Sequence, residues 1–247
     1  MLVMISPSKN MREDECKYKP KHLPVFKETD RILSVLKTLN DEEIKKLMKV
    51  NQSITELNIE RYKHITYDLL GRPAILTYDG LQYRNIEVEG YSEEECDFLD
   101  KHVRILSGLY GVLKPFTSIY PYRLELQTNL MVDGNKNLYE FWGSKLYEEI
   151  RQSSHTMINL ASNEYSKAIV PYLKDEDNFI SCTFKVKKGD SIKVESTASK
   201  ILRGRMLQYI VKNRITNPED LKLFSYNNCK FSKEESSDKE YVFIVKR

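Results

Sequence analysis

Near the middle of the chain is a turn that depends on glycine, and it constrains whatever element lies on either side of it. The stretch Leu106-Ser107-Gly108-Leu109-Tyr110-Gly111-Val112-Leu113-Lys114-Pro115 runs on through Phe116 to Tyr120-Pro121-Tyr122-Arg123. Gly108 and Gly111 lack the Cβ that holds other groups away, and they tolerate φ > 0. As punctuation, the two glycines end a helix and Pro115 forbids its restart. As a site, the exposed N–H groups of the turn would face an anion such as a phosphate.

The spacing predicts that a long helix enters this turn. Ser92 caps it with Glu95 three residues on, and Leu99, Val103, Leu106 and Tyr110 then form one apolar face, so Arg104 points elsewhere. Upstream, Leu2 to Ile5 reads as a strand that delivers Ser6, Ser8 and Lys9 into a loop at its carboxyl end, where α/β sheets hold ligands. Helical periodicity follows from Thr29 through Leu39, from the Asn40/Glu43 capping box through Met48, and from Ser53 to Tyr62. Ala74 to Tyr78 reads as a strand closed by Asp79-Gly80.

Downstream, Trp142 is expected as a core anchor, followed by a helix through Leu146 and Ile150. Met157 to Ala161 reads as another strand, and Ser162 or Asn163 caps the helix after it. Phe179 to Val186 and Ile192 to Glu195 flank a hairpin turn around Gly189, a helix runs from Ala198 to about Arg214, and Tyr241 to Val245 is a last strand. On the Ala198 helix, Lys200, Arg203 and Arg214 lie together, with Gly204 nearby to let a backbone or a ligand approach.

This alternation, over 247 residues with 40% apolar and 30% charged side chains, predicts one compact α/β (mixed α+β) domain spanning 1–247, with a central mixed sheet wrapped by helices. No apolar run approaches the ~18 residues of a membrane span. The amino-terminal apolar segment is too short for a signal peptide, so the expected location is the cytosol. Cys16, Cys96, Cys182 and Cys229 are far apart, as are the four histidines, so neither a metal site nor a cofactor is expected. With a net charge of +3, a polyanion must be met by a local basic patch.

Several ordered motifs together resemble the YaaA family of bacterial peroxide-stress proteins. They are I-S-P-S-K at Ile5 to Lys9, L-S-G-L-Y-G-V-L-K-P at Leu106 to Pro115, P-Y-R-L-E at Pro121 to Glu125, L-Y-E-F-W-G at Leu138 to Gly143, I-N-L-A-S-N-E-Y at Ile158 to Tyr165, A-S-K-I-L-R-G at Ala198 to Gly204 and K-E-Y-V-F at Lys239 to Phe243. The resemblance implies protection during hydrogen peroxide stress by limiting unincorporated iron. It also implies DNA binding through a positively charged cleft and an element likened to a helix-hairpin-helix, for which Gly108 to Gly111 is the candidate.

Two function classes follow. The first is a DNA-binding stress protein, with DNA as partner, no membrane association and a monomer as the expected form. Its cleft would collect Lys9, Arg104, Gly108, Tyr110, Gly111, Lys114, Arg123, Lys167, Lys200 and Arg203, with Tyr110, Tyr120 and Tyr122 stacking on unpaired bases. The second is an enzyme acting on a nucleobase, nucleoside or other small anionic substrate, using Ser6, Asn159, Ser162, Glu164 and Tyr165 together with Lys9 and Lys200. A deep pocket joining Lys9, Glu164 and Lys200 would favour the enzyme, and a long open groove of cations would favour DNA. An iron site using Cys16 or His22 is the weakest alternative.

Overall fold

The computed structural model describes residues 1–246. Its organising element is β1 (Leu2–Ile5), whose four side chains are all buried. A run that is apolar on both faces belongs inside a parallel sheet covered on each side, and that is where β1 lies. Its parallel neighbours are β5 (Val103–Ser107), with Val3 opposite Val103, and β8 (Thr156–Asn159), with Val3 opposite Ile158. Beyond β8 the parallel order continues through β9 (Asn178–Lys188) to β13 (Glu240–Lys246). Antiparallel strands finish the edges: β6 (Gly111–Leu113) beside β5, then β12 (Cys229–Phe231) and β11 (Ser225–Tyr226) beyond β13, with β10 (Ser191–Lys193) paired to β9. Among the described residues these nine strands form one sheet. Two short ribbons lie apart from it, β2 (Asn10–Met11) with β4 (Tyr78–Asp79) and β3 (Arg72–Pro73) with β7 (Ser118–Ile119).

Strand order places the candidate site. From β1 the chain next joins the sheet at β5 on one side, whereas from β8 it goes on to β9 on the other. The loops leaving β1 and β8 therefore diverge, opening a crevice outside the carboxyl ends of two adjacent parallel strands.

The helices largely follow the sequence pattern. They are α1 (Glu28–Thr38), α2 (Asp41–Met48) with the Asn40/Glu43 capping box in place, and α3 (Gln52–His64), capped by Asn51. After them come α4 (Ala74–Thr77), α5 (Leu81–Arg84), α6 (Glu93–His102), α7 (Leu138–Trp142), α8 (Lys145–Ser153), α9 (Asn163–Ser166) and α10 (Ser196–Lys212). Trp142 is fully buried and its Nε1 donates to the Gly108 carbonyl at 3.0 Å.

Three expectations are corrected. Ser92 and Glu95 do form the predicted capping box, but the helix stops at His102 and Val103–Ser107 is a strand. All five residues of that strand are buried, so the spacing that mimicked one helical face belongs to a segment packed on every side. Arg104 explains the stop: its Nη1 donates to the carbonyls of Asp100, Lys101 and Val103 at 3.1, 3.4 and 2.7 Å, capping the end of α6. Second, Ala74–Thr77 is one buried helical turn and only Tyr78–Asp79 is extended, because short apolar runs do not declare their period. Third, Gly108 to Gly111 joins two antiparallel strands. It is the turn of a β-hairpin and no helix-hairpin-helix forms there.

Candidate functional site

At the β1/β8 crevice lies a cavity of about 580 Å³. Its walls come from Ser6 to Asn10 after β1, Gly80 to Arg84 at α5, Tyr122 to Glu125, Ser162 with Glu164 and Tyr165 at α9, and Lys200 and Arg203 on α10. The two diverging loops are tied together at its floor. Ser162 donates its backbone N–H to Ser6 Oγ at 2.8 Å, and the Ser6 hydroxyl donates to Ser162 Oγ at 3.2 Å. Ser8 Oγ donates to the Asp79 carbonyl, and Tyr83 OH donates to the Ser6 carbonyl at 2.8 Å, so α5 is held over the β1 loop.

Gly204 sets where α10 sits. A Cβ there would fall 2.3 Å from the Gln82 carbonyl oxygen and 2.8 Å from Asn85 Cβ. The missing side chain thus lets α10 lie directly on α5, and Lys200 and Arg203 of α10 line the cavity. It is a backbone, not a ligand, that approaches this glycine.

The charges inside are unevenly matched. Glu125 Oε1 accepts Lys9 Nζ at 3.0 Å and Arg123 Nη2 at 3.1 Å. Arg84 is paired to Asp79 at 2.7 Å. Arg203, by contrast, has no ion-pair or hydrogen-bond partner among the described residues, and its Nε is fully enclosed. Burial pulls the pKa of its guanidinium below the usual arginine value, opposed by the nearby Cys182. Lys200 is exposed at the rim. Arg123 Nε and Gln82 Nε2 are two further buried donors without partners. Burial pushes the Glu164 carboxyl above the ordinary carboxylate range, and the charge of Glu125 adds to this. Backbone N–H groups, chiefly that of Gln127 at 3.4 Å, and the charge of Lys9 oppose it. Tyr122 donates and accepts within a buried network, with Ser107 Oγ at 2.6 Å and Tyr78 OH at 2.8 Å, and burial raises its pKa to about 12.

Of the residues singled out from sequence, Ser6, Lys9, Arg123, Ser162, Glu164, Tyr165, Lys200 and Arg203 line this one cavity. Asn159 lies behind it, accepting from the Ala161 N–H at 2.9 Å and donating to Ser181 Oγ at 3.2 Å. Lys114 and Lys167 are exposed but stand outside its walls. Four expected contacts of a DNA cleft are buried elsewhere. Arg104 caps α6, Tyr110 is wholly enclosed, and Gly108 and Gly111 face protein. A Cβ on Gly108 would lie 2.6 Å from the Leu124 carbonyl oxygen, and one on Gly111 would lie 2.7 Å from the Phe26 ring. The N–H groups of Leu109 and Tyr110 donate to Ser107 Oγ at 3.2 and 2.8 Å, so these two donors at the tip of the turn are committed within the protein and not offered to an anion.

Sequence reasoning missed Arg84, Gln82, Tyr83 and Glu125 as wall residues. The signal for the first three was the Asp79-Gly80 turn, which brings α5 over the cavity. Glu125 was visible in the P-Y-R-L-E motif.

Three thiols are poor targets for peroxide. Cys96, Cys182 and Cys229 are buried, and burial raises the pKa of all three, to about 12 for Cys182 and Cys229, which suppresses the reactive thiolate. Among the described residues no three His, Cys, Asp or Glu side chains are grouped to hold a metal ion. Among the described residues no helix is long and apolar enough to cross a membrane.

Comparison with known proteins follows the whole chain. A family model described as peroxide stress protein YaaA matches residues 1–235. A UPF0246 protein of Clostridioides difficile (strain 630) is 47% identical over 245 residues, covering 99% of each chain. Similar UPF0246 proteins of Ligilactobacillus salivarius, covering 99% of both chains, and Desulfitobacterium hafniense, covering 99% of this chain and 98% of its own, are each 38% identical.

Proposed function

Because the chain belongs to the YaaA family of peroxide stress proteins, we propose that it serves peroxide resistance by binding a small phosphate-bearing ligand in the cavity at the carboxyl ends of β1 and β8. One observation carries this reading: Arg203, with its Nε buried and unpartnered and no carboxylate partner among the described residues, lines a cavity of about 580 Å³. A buried cation left unpaired is costly in the empty protein, and a bound anion removes that cost. The volume falls within the ~300 to 1,000 Å³ of small-molecule sites, whereas a DNA duplex does not enter a space of this size. Placement in the cytosol, and a final effect on damage caused by free iron with hydrogen peroxide, belong to the same proposal.

Calorimetric titration with inorganic phosphate, ribose 5-phosphate and mononucleotides tests it. At least one phosphate compound should bind, and Arg203→Gln with Lys200→Gln should weaken it by ~10-fold or more, about 1.4 kcal/mol. Absence of binding by every phosphate compound overturns the reading. Failure of the double variant to restore peroxide resistance to a deletion strain, where the wild type succeeds, would tie the cavity to the cellular role.

A second reading is favoured by the rim. Lys9 has 58% of its side chain exposed, and Lys200, which lines the same cavity, is exposed as well. A single strand of DNA lying across them would place phosphates on both and one unpaired nucleotide in the cavity. Binding of single-stranded oligonucleotides should then weaken with salt, and Lys9→Ala with Lys200→Ala should reduce the salt slope by roughly 1 to 2. An unchanged slope would remove DNA from consideration at this rim.

A further inference from the structure

The cavity has two unlike ends, and we propose that its ligand is bipolar: a phosphomonoester whose far end carries N–H donors, of which an amino-bearing nucleotide is the simplest case. The phosphate would lie against Lys200 and Arg203, and the N–H donors against Glu164 and Glu125. The inference rests on the reading of the cavity as an anion site.

The cationic end is built from α10 alone, where Lys200 and Arg203 stand one helical turn apart. Neither has a carboxylate partner among the described residues, and Arg203 Nε is enclosed without an acceptor. The acidic end is built from the loop before Leu126 and from α9. There the charge of Glu125 adds to burial in raising the affinity of Glu164 for a proton, and Lys9 and Arg123 both converge on a single oxygen, Glu125 Oε1. Glu164 receives backbone N–H groups alone, that of Gln127 at 3.4 Å and that of Leu126. A carboxylate offers about four acceptor positions, so the Glu164 carboxyl on the cavity wall keeps room for a further donor.

That second carboxylate is what a site for a plain anion would omit. With Glu125 answered by Lys9 and Arg123, it is the ionised Glu164 that repels a phosphate beside it, and such an element selects against ligands that bring no donor to it. Tyr83 and Tyr122 also border the cavity, but both are buried and their hydroxyls are bonded to the Ser6 carbonyl and to Ser107 and Tyr78 respectively, so the polar groups left to a ligand are the cations of α10 and the carboxyl of Glu164. A nucleobase amino group then meets Glu164 as an exocyclic donor meets a carboxylate in base recognition.

The experiment compares AMP and GMP with ribose 5-phosphate on the full-length wild type, Glu164→Gln and Arg203→Gln, by calorimetry. The nucleotides are expected to bind ~10-fold or more tightly than ribose 5-phosphate, a difference of about 1.4 kcal/mol. Glu164→Gln should erase most of that preference while leaving ribose 5-phosphate affinity within ~2-fold, and Arg203→Gln should weaken all three ligands. If the nucleotides bind no better than ribose 5-phosphate, or if Glu164→Gln weakens every ligand equally, the bipolar assignment fails and the anion site stands. If no phosphate compound binds, both readings fall together. Binding by an oligonucleotide and by none of the small ligands also overturns the inference. The wild-type comparison alone decides the matter if Glu164→Gln does not fold.

Discussion

The Gly108–Gly111 hairpin and the β1/β8 cavity are assembled from similar residues, with serines, tyrosines, glycines and cations in both, yet they have opposite characters. In the hairpin the hydrogen-bonding groups are committed within the protein. Ser107 Oγ accepts from Leu109 and Tyr110, Trp142 Nε1 donates to the Gly108 carbonyl, and Thr29 Oγ1 donates to the Leu109 carbonyl at 3.1 Å. In the cavity, Arg203 Nε, Arg123 Nε and Gln82 Nε2 are enclosed and unanswered. A buried polar group without a partner costs about 1 to 3 kcal/mol. A knot of satisfied groups therefore reads as structure, and a cluster of unsatisfied ones reads as a place kept for something else.

The largest expected effect follows from the glycines. Gly108→Ala drives a Cβ against the Leu124 backbone, and Gly111→Ala meets both a φ of +74° and the Phe26 and Trp142 rings. Each should cost ~2 to 4 kcal/mol, lowering Tm by about 5 to 15 °C in a chain of this size. Arg203→Gln should leave stability within ~1 kcal/mol of wild type or raise it, since it removes an uncompensated charge. Thermal and denaturant unfolding of the three variants checks this. The contrast is broken if Arg203→Gln unfolds the protein as readily as the glycine variants do.

The same contrast explains what the sequence disclosed. The strands at Leu2–Ile5 and Thr156–Asn159, the capping boxes at Asn40 and Ser92, and α10 were legible because their signals are local: short apolar runs, reciprocal caps and a 3.6-residue period. The loops after β1 and β8 were legible as strand-end junctions because both follow strands in an α/β pattern, and both line the one cavity. Val103–Ser107 was misread because a strand buried on both faces satisfies a helical template equally well, and nothing local revealed that Arg104 would cap α6. Gly108 and Gly111 misled for a related reason. A glycine that admits a ligand and one that admits Leu124 or Trp142 look alike until the packing partner, distant in sequence, is known. Gly204, whose partner is the backbone of Gln82, is the third case.

A smaller effect distinguishes two carboxylates of opposite kind. Asp177, with a fully buried side chain, is pushed up by burial, but the Tyr147 hydroxyl at 2.5 Å, the Lys174 N–H at 2.9 Å, His155 and Arg151 together hold its pKa below the usual aspartate value. Its contribution to stability is present above the unfolded-state pKa of ~3.9 and is lost as pH falls through the folded value. Glu164 runs the other way. Its folded-state pKa is raised, mainly by burial, so the folded chain binds the proton more tightly and stability declines as pH rises from ~4.3 toward that raised value. Unfolding measured across the acid range should show Asp177→Asn flattening the slope on the low side and Glu164→Gln flattening it on the high side. Ligand binding to the acidic end of the cavity should also strengthen as Glu164 ionises. A Glu164→Gln profile that overlays the wild type would mean that this carboxyl is as well satisfied as Asp177.

The smallest expected effect is none at all, and it concerns the thiol nearest the unsatisfied guanidinium. Cys182 lies in β9, where Arg203 is the charge that acts on it, and burial lifts its pKa to about 12. The favourable field of Arg203 is outweighed by the loss of water, so at neutral pH the thiolate that peroxide attacks is scarcely populated. Exposure of the native protein to hydrogen peroxide should therefore leave Cys182 unmodified by mass spectrometry, with iodoacetamide reaching the partly exposed Cys16 well before Cys96, Cys182 or Cys229. Ligand affinity at the cavity should be the same before and after peroxide. A loss of affinity in the wild type that Cys182→Ser prevents would show that the sheet behind the cavity is open to oxidant, and would erase the distinction between a sealed sheet and the unsatisfied site beside it.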